Sequence, residues 1–254
     1  MRNTVCEIVR EAGKLMLSMS DAAVYQKEGH ANFVTEADTA VQAFLMEKLH
    51  EAVPEAVFFA EEKEDNHLGD GYTFIIDPID GTTNFFRQLH TSCISVALLY
   101  EKQPVLGVVF DPYRNELFHA EKGKGAFLNG QPIHVSEMPF ENGIVNIGSS
   151  PYYPDLIEKT FEAAKLFVKN CADVRRSGSA TIDICSVAAG RTDMMYEFRL
   201  SPWDYAAASF IVEEAGGKFG GFDGQEFSYE HPIPFMAASA VCFDKMKNLL
   251  DTIK

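Results

Sequence analysis

A mixed α and β protein of two intimately packed lobes, an α+β lobe over residues 1–140 and an α/β lobe over 141–254, is predicted by three observations. The chain of 254 residues is 46% hydrophobic, enough to bury a substantial core. Its first half groups amphipathic helical patterns with short β-rich runs, whereas beyond about residue 140 strand and helix patterns alternate. No repeat, low-complexity tract or long linker divides the halves, so they are read as one domain spanning 1–254.

The elements follow in chain order. Val5, Ile8, Val9, Ala12, Leu15 and Met16 recur at helical spacing, and Val41, Phe44, Leu45 and Leu49 mark one face of a second helix over 37–49. Strands are expected at 56–60, 73–77, 94–100, 104–112 and 115–120, where β-branched and aromatic runs are bounded by Gly, Pro, Asp and Asn. The second half reads as strand 143–150, helix 154–169, strand 172–178, helix 179–190, strand 193–198, helix 203–215 and strand 217–222. The Gly-rich stretch GKGAFLNG (123–130) lacks phosphate-loop spacing and is read as a hairpin.

Composition narrows the function classes. A formal net charge of -15 argues against direct binding of nucleic acid or anionic membranes, whose phosphates the summed field repels. The five cysteines are scattered without a C-x-x-C pair, and no histidines stand at metal-ligand spacing, so neither a disulfide framework nor a zinc site is expected. Glu7, Arg10, Glu11 and Lys14 interrupt the apolar run near the amino terminus, and no segment approaches 18 uninterrupted apolar residues. The expectation is a cytoplasmic protein with no membrane association.

The stretch FIIDPIDGTTNF (74–85) carries the chemistry. Asp77-Pro78 can simply end a strand and Asp80-Gly81 make a turn. Yet Thr82 and Thr83 stand where a helix can start, leaving the N–H groups of Gly81 and Thr82 to face an anion. Carboxylates beside such a cradle repel phosphate unless divalent cations lie between, and hard oxygen ligands suit Mg²⁺. Further carboxylates occur in AEEKED (60–65) and SPWDYAAA (201–208), where Glu61 and Asp204 are candidates and the acidic residues beyond Glu61 read as solvated surface. Pro78 fixes φ and supplies no N–H, which helps aim the Ile79 carbonyl inward after Asp77 ends the strand. Asp38, in VTEADTAVQAF, also reads as a helix N-cap.

Four motifs, AEE (60–62), DPIDGTTNF (77–85), RRSGSATIDICSVAAGRTDMMYE (175–197) and SPWDYAAASFIVEEAGG (201–217), resemble the inositol monophosphatase family, within the lithium-sensitive, Mg²⁺-dependent phosphatases of sugars and nucleotides. They occur in the family's order across nearly the whole chain. Thr83-Asn84-Phe85 follows the inositol phosphatase form, while Ala60 departs from the Gly that many members carry and puts the loop geometry there in question.

The resemblance implies a layered αβαβα sandwich, a homodimer and two to three Mg²⁺ ions. It assigns Glu61, Asp77 and the Ile79 carbonyl to one ion, and Asp77, Asp80 and Asp204 to a second. A third, bound mostly through water, would lie near Glu61 and a mobile loop that includes Lys27. Glu61 and Thr82, the latter paired with Asp38, would position a metal-activated water for in-line attack without a phosphoenzyme. Asp80, Gly81, Thr82, Gly178, Ser179, Ala180, Glu197 and Asp204 would contact substrate, with Glu197 on a polyol hydroxyl. The implied reaction is hydrolysis of myo-inositol 1-phosphate. Alternatives are fructose 1,6-bisphosphate, NADP or a 3′-phosphoadenosine nucleotide, or a second role beside RNA polymerase or RNA, as some bacterial relatives have.

Overall fold

The computed structural model describes residues 1–27 and 33–253, arranged as a layered αβαβα sandwich. Helix α1 (Arg2–Ser18) is followed by a short antiparallel pair, β1 (Val24–Gln26) and β2 (Phe33–Thr35), and by α2 (Glu36–Ala52). Then come β3 (Val57–Ala60), β4 (Tyr72–Asp80), the short helix α3 (Thr82–Phe86), β5 (Cys93–Tyr100), β6 (Gln103–Asp111), β7 (Glu116–Glu121), β8 (Ala126–Leu128) and β9 (Gln131–Ile133). Strands β3 to β9 form one sheet in chain order, with β3 and β4 parallel and every later pair antiparallel. The predicted Gly-rich hairpin is present, and Asn129-Gly130 makes its turn with φ of 49° and 80°.

The second sheet holds β10 (Ile144–Ile147), β11 (Asp173–Arg175), β12 (Met194–Leu200), β13 (Lys218–Gly221) and β14 (Ile233–Ala238) in the order β11-β10-β12-β14-β13. Helices α4 (Ile157–Asn170), α5 (Ala180–Ala188) and α6 (Pro202–Glu214) alternate with these strands as expected, and α7 (Phe243–Leu250) follows. The sequence reading did not anticipate β14 or α7. Pro234 argues against a central strand, and the fold accommodates it where the β12–β14 register shifts between Glu197 and Leu200.

Side-chain alternation explains the layers. On β4, Phe74 and Ile76 pack with α1 and α2, while Ile75 faces the other way. Val96 and Leu98 of β5 follow the first pair, and Ala97 and Leu99 follow Ile75. On β12, Met195 joins the middle layer and Met194 and Tyr196 pack with Phe167 of α4 and Met246 of α7. Helices α5 and α6 lie between the sheets. Accordingly Tyr205 to Val212 of α6 are all buried, a helix apolar on every side. Gly107 of β6 makes room for α6: a β-carbon there would stand 2.7 Å from the Ala207 carbonyl oxygen. Gly107→Ala is expected to lower unfolding stability by about 1–3 kcal/mol. Urea denaturation measures it, and an unchanged midpoint would contradict the close approach.

Candidate active site

The end of β4 is irregular in a useful way. Asp77 pairs with Ser95 and Asp80 with Cys93, so three steps on β4 span two on β5 and one residue is extra. Asp77 therefore does not end the strand, as the sequence suggested; β4 bulges and runs on to Asp80. Pro78 is tolerated there because a bulge asks for no ladder N–H. Asp77 Oδ1 accepts the Ile79 N–H at 3.0 Å. Gly81 then turns the chain into α3 with φ 86°, and a β-carbon on it would meet the Thr91 carbonyl oxygen at 3.1 Å, so the turn requires glycine on two counts.

Helix N-termini hold the other carboxylates. Asp38 is the third residue of α2 rather than its cap; its Oδ2 accepts the Thr35 N–H at 2.7 Å and the Thr35 hydroxyl at 2.6 Å. Its Oδ1 accepts the Thr82 hydroxyl at 3.1 Å, the pairing that the resemblance implied. Asp204 occupies the same position in α6 and accepts the Ser201 N–H at 2.8 Å. Asp80 Oδ2 accepts the Thr181 N–H of α5 at 2.8 Å and the Ser179 hydroxyl at 2.5 Å.

These anchors bring the carboxylates together. Ligand oxygens of Asp77, Asp80 and Asp204 all lie within 4.8 Å of one another. They line a cavity of about 500 Å³, together with Glu61, Ile79, Gly81, Thr82, Gly178, Ser179, Ala180 and Glu197. Of the predicted site residues only Asp38 lies off the wall, behind Thr82. The Ile79 carbonyl also accepts the Thr82 hydroxyl at 3.1 Å. Ala60 ends β3 in ordinary strand backbone, its N–H and carbonyl both bound by the Asn66 side chain, so no glycine is needed there.

The electrostatics of the cluster call for positive charge. Burial, then the neighbouring carboxylates Glu61, Asp80 and Asp204, holds Asp77 well above the usual carboxylate range. Burial and then Glu62 push Glu61 up to about 8, with Lys27 opposing. Asp204 rises with burial and the charge of Asp80. Donors of oxygen only, clustered and mutually repelling, fit a hard divalent cation such as Mg²⁺.

Two features depart from the sequence reading. Glu62 is not solvated: its carboxylate pairs with Lys27 at 2.5 Å with only 14% of the side chain exposed. Of the loop that follows Lys27, residues 28–32 lie outside the described residues. Glu197 is engaged within the protein, its Oε1 accepting the Ser150 N–H at 2.7 Å and the Ser150 hydroxyl at 3.2 Å. Burial pushes its carboxyl up to about 7 against those bonds. The wall over Ser149–Tyr153, together with Arg176, Arg199 and Trp203, was missed in the sequence. Arg176 stood inside a quoted motif, but nothing in its spacing announced a cavity.

A family model described as the inositol monophosphatase family matches residues 1–250. Over 230 residues the chain is 36% identical to Nus factor SuhB of Escherichia coli strain K12, covering 88% of this chain and 86% of that protein. The IMPase of Thermotoga maritima superposes with a TM-score of 0.87 at 33% identity, covering 98% and 95% of the two chains. Extragenic suppressor protein SuhB of Bartonella henselae does so with a TM-score of 0.90 at 30% identity, covering 98% and 97%. Fold and site thus define a member of a phosphatase superfamily. Within it, this chain belongs to the inositol monophosphatase family. Among the described residues no helix is long and apolar enough to cross a membrane.

The raised carboxyls predict a pH-dependent response to metal. Each has a folded pKa above its unfolded value, so the native state binds more protons and its stability falls as pH rises, for Glu61 between 4.5 and about 8. In chelator the melting temperature should drop across that window, and Mg²⁺ should restore it by several degrees at pH 8 but little at pH 5. Thermal melts at both pH values check this; an equal effect of Mg²⁺ at both would contradict it.

Proposed function

We propose that the chain is a Mg²⁺-dependent, lithium-sensitive phosphomonoesterase that hydrolyses myo-inositol 1-phosphate, or a related polyol or sugar phosphate, to the alcohol and phosphate. The observation that carries this reading is the convergence of Asp77, Asp80 and Asp204 within 4.8 Å at the wall of a cavity that also presents Glu197. Asp77, Asp80, Asp204, Glu61 and the Ile79 carbonyl would hold two to three Mg²⁺ ions, which when bound supply positive charge against the phosphate and acidify water.

The chain's own groups do the positioning. With its one hydrogen shared between Asp38 and the Ile79 carbonyl, the Thr82 oxygen turns its lone pairs to the attacking water, and Glu61 accepts a second hydrogen from it. Gly81 and Thr82 present N–H groups toward the phosphate at the start of α3. The second oxygen of Glu197 accepts from a polyol hydroxyl, and Gly178, Ser179 and Ala180 line the same wall. Direct displacement is favoured over a covalent intermediate, because burial holds the Cys93 thiol far above its ordinary range and leaves it protonated. The two lobes, 1–140 and 141–254, work as one domain, in a cytoplasmic homodimer.

A second reading rests on relatives that bear the name Nus factor SuhB. A regulatory role of that kind would run through protein contacts, since a net charge of -15 disfavours direct RNA binding.

Phosphate release from inositol 1-phosphate, 3′-phosphoadenosine 5′-phosphate and NADP, with and without Mg²⁺, tests the main reading. Mg²⁺-dependent release is expected, fastest from inositol 1-phosphate, and no Mg²⁺-dependent release from any of these esters would sink the proposal. Asp77→Asn should lower kcat about a thousandfold or more while the protein stays folded in chelator. Near-normal turnover of this variant would contradict the assigned role.

A further inference from the structure

One buried carboxylate stands near the cluster without joining it. Asp183 lies in the first turn of α5 and is 5% exposed. Among the described residues no basic side chain pairs with it. Arg191, on the wall of the same second cavity, gives both terminal nitrogens to Glu116 at 2.7 and 2.6 Å. Burial pushes the Asp183 carboxyl up to about 7, with Ser177 opposing and the charges of Asp80 and Glu197 adding to the push. An apolar side chain would fill this position at less cost, so the carboxylate is retained for its bonds.

Those bonds lead to Asp80. Asp183 Oδ2 accepts the Ser177 N–H at 3.4 Å, and from the other side the Asn84 side chain donates to the Ser177 carbonyl at 3.0 Å. Ser177 is thus pinched between α5 and α3. Its hydroxyl accepts the Ser179 N–H at 3.1 Å and donates to the Ser179 carbonyl at 3.0 Å, which holds the cap residue of α5 in place. Ser179 in turn donates its own hydroxyl to Asp80 Oδ2 at 2.5 Å, beside the Thr181 N–H on the same oxygen. Behind Asp183 lies space. Of the residues lining the active-site cavity and a second cavity of about 190 Å³, Asp183 alone lines both, and its neighbours in the second include Thr91, Ser177 and Ser186. Truncating its carboxylate therefore removes bonds and charge but little apolar packing.

We propose that Asp183 is a positioning residue for the divalent cation at Asp80 and Asp204: by holding Ser177 against the start of α5, it fixes the donors that aim the Asp80 carboxylate. Side chains that orient a metal ligand commonly change metal affinity by tenfold or more when removed. The inference rests on the cation seat of the phosphatase reading above.

Mn²⁺ serves as the probe, its binding to the whole chain followed by electron paramagnetic resonance. The unaltered protein should bind at least two ions. Asp183→Ala should weaken the ion at Asp80 and Asp204 about tenfold and leave the ion at Glu61, Asp77 and the Ile79 carbonyl nearly unchanged. Asp183→Asn keeps an oxygen for the Ser177 N–H but loses the charge, and should recover part of the loss. Asn84→Ala frees Ser177 from the other side and should weaken the same ion; the double Ala variant should fall short of the product of the two losses. In phosphate release from inositol 1-phosphate, Asp183→Ala should need about tenfold more Mg²⁺ for half its maximal rate, with kcat and KM for the ester near their unaltered values once Mg²⁺ saturates. If Asp183→Ala does not fold, Asp183→Asn and Asn84→Ala decide the matter. Unchanged Mn²⁺ affinity in the folded Ala variants overturns the role, as does a kcat lowered at every Mg²⁺ concentration. An Asn variant as weak as the Ala variant overturns it too, since charge alone would then be at work. No Mn²⁺ bound by the unaltered protein would instead remove the cation seat, and the phosphatase reading with it.

Discussion

Repulsion among buried carboxylates is the constraint around which this structure is organised. Asp77 and Asp80 are buried, Asp204 is half-buried, and their oxygens sit within 4.8 Å of one another. Unpaired buried charge is among the most unfavourable things a fold can contain. The chain answers by tying one oxygen of each to a backbone N–H: Ile79 for Asp77, Thr181 for Asp80 and Ser201 for Asp204. Asp38 is tied to Thr35 in the same manner. Two of these donors stand at the N-termini of α5 and α2, and a third caps α6, where the helix dipole favours negative charge. The anchors fix the direction in which each carboxylate points.

The sandwich supplies those N-termini at one place. Helices α5 and α6 form the layer between the sheets, and their starts meet the bulged end of β4 from the side opposite α2. Side-chain staples complete the join. Asn84 of α3 donates to the carbonyls of Thr91 and Ser177, which brings the Arg176–Gly178 segment against the β4 turn. Gly178, with φ 92°, packs so closely that a β-carbon would meet the Asn84 amide at 2.8 Å. The cavity is therefore a product of contacts between distant segments, and its second wall, held by Glu197, comes from the other sheet.

Much of this was legible in the sequence, for identifiable reasons. Helices α1 and α2 declare themselves by periodicity because each buries one face, and strands β3 to β7 by β-branched and aromatic runs bounded by turn residues, with β4 and β5 buried on both faces. The site residues taken from the four motifs meet at one cavity because short, ordered spacings tie each carboxylate to a turn or a helix start. What stayed hidden depends on tertiary context. A proline in β14 reads as a breaker until a register shift absorbs it. The β4 bulge reads as a strand end until β5 is laid beside it. Glu62 reads as solvated until Lys27, 35 positions away, comes within 2.5 Å. Ser150 carries no local mark of its left-handed backbone, because Glu197 imposes it from 47 positions away.

The central claim is that Asp77, Asp80 and Asp204, with Glu61 beside them, are a preformed seat for divalent cations. Anomalous diffraction from crystals soaked in Mn²⁺ and phosphate tests it most directly, since the manganese signal locates each ion without reference to activity. The prediction is at least two peaks, one bridged by Asp77 and one bonded to both Asp80 and Asp204, with phosphate density between them and the cavity mouth. Peaks confined to surface carboxylates, in crystals of protein that still releases phosphate, would contradict it.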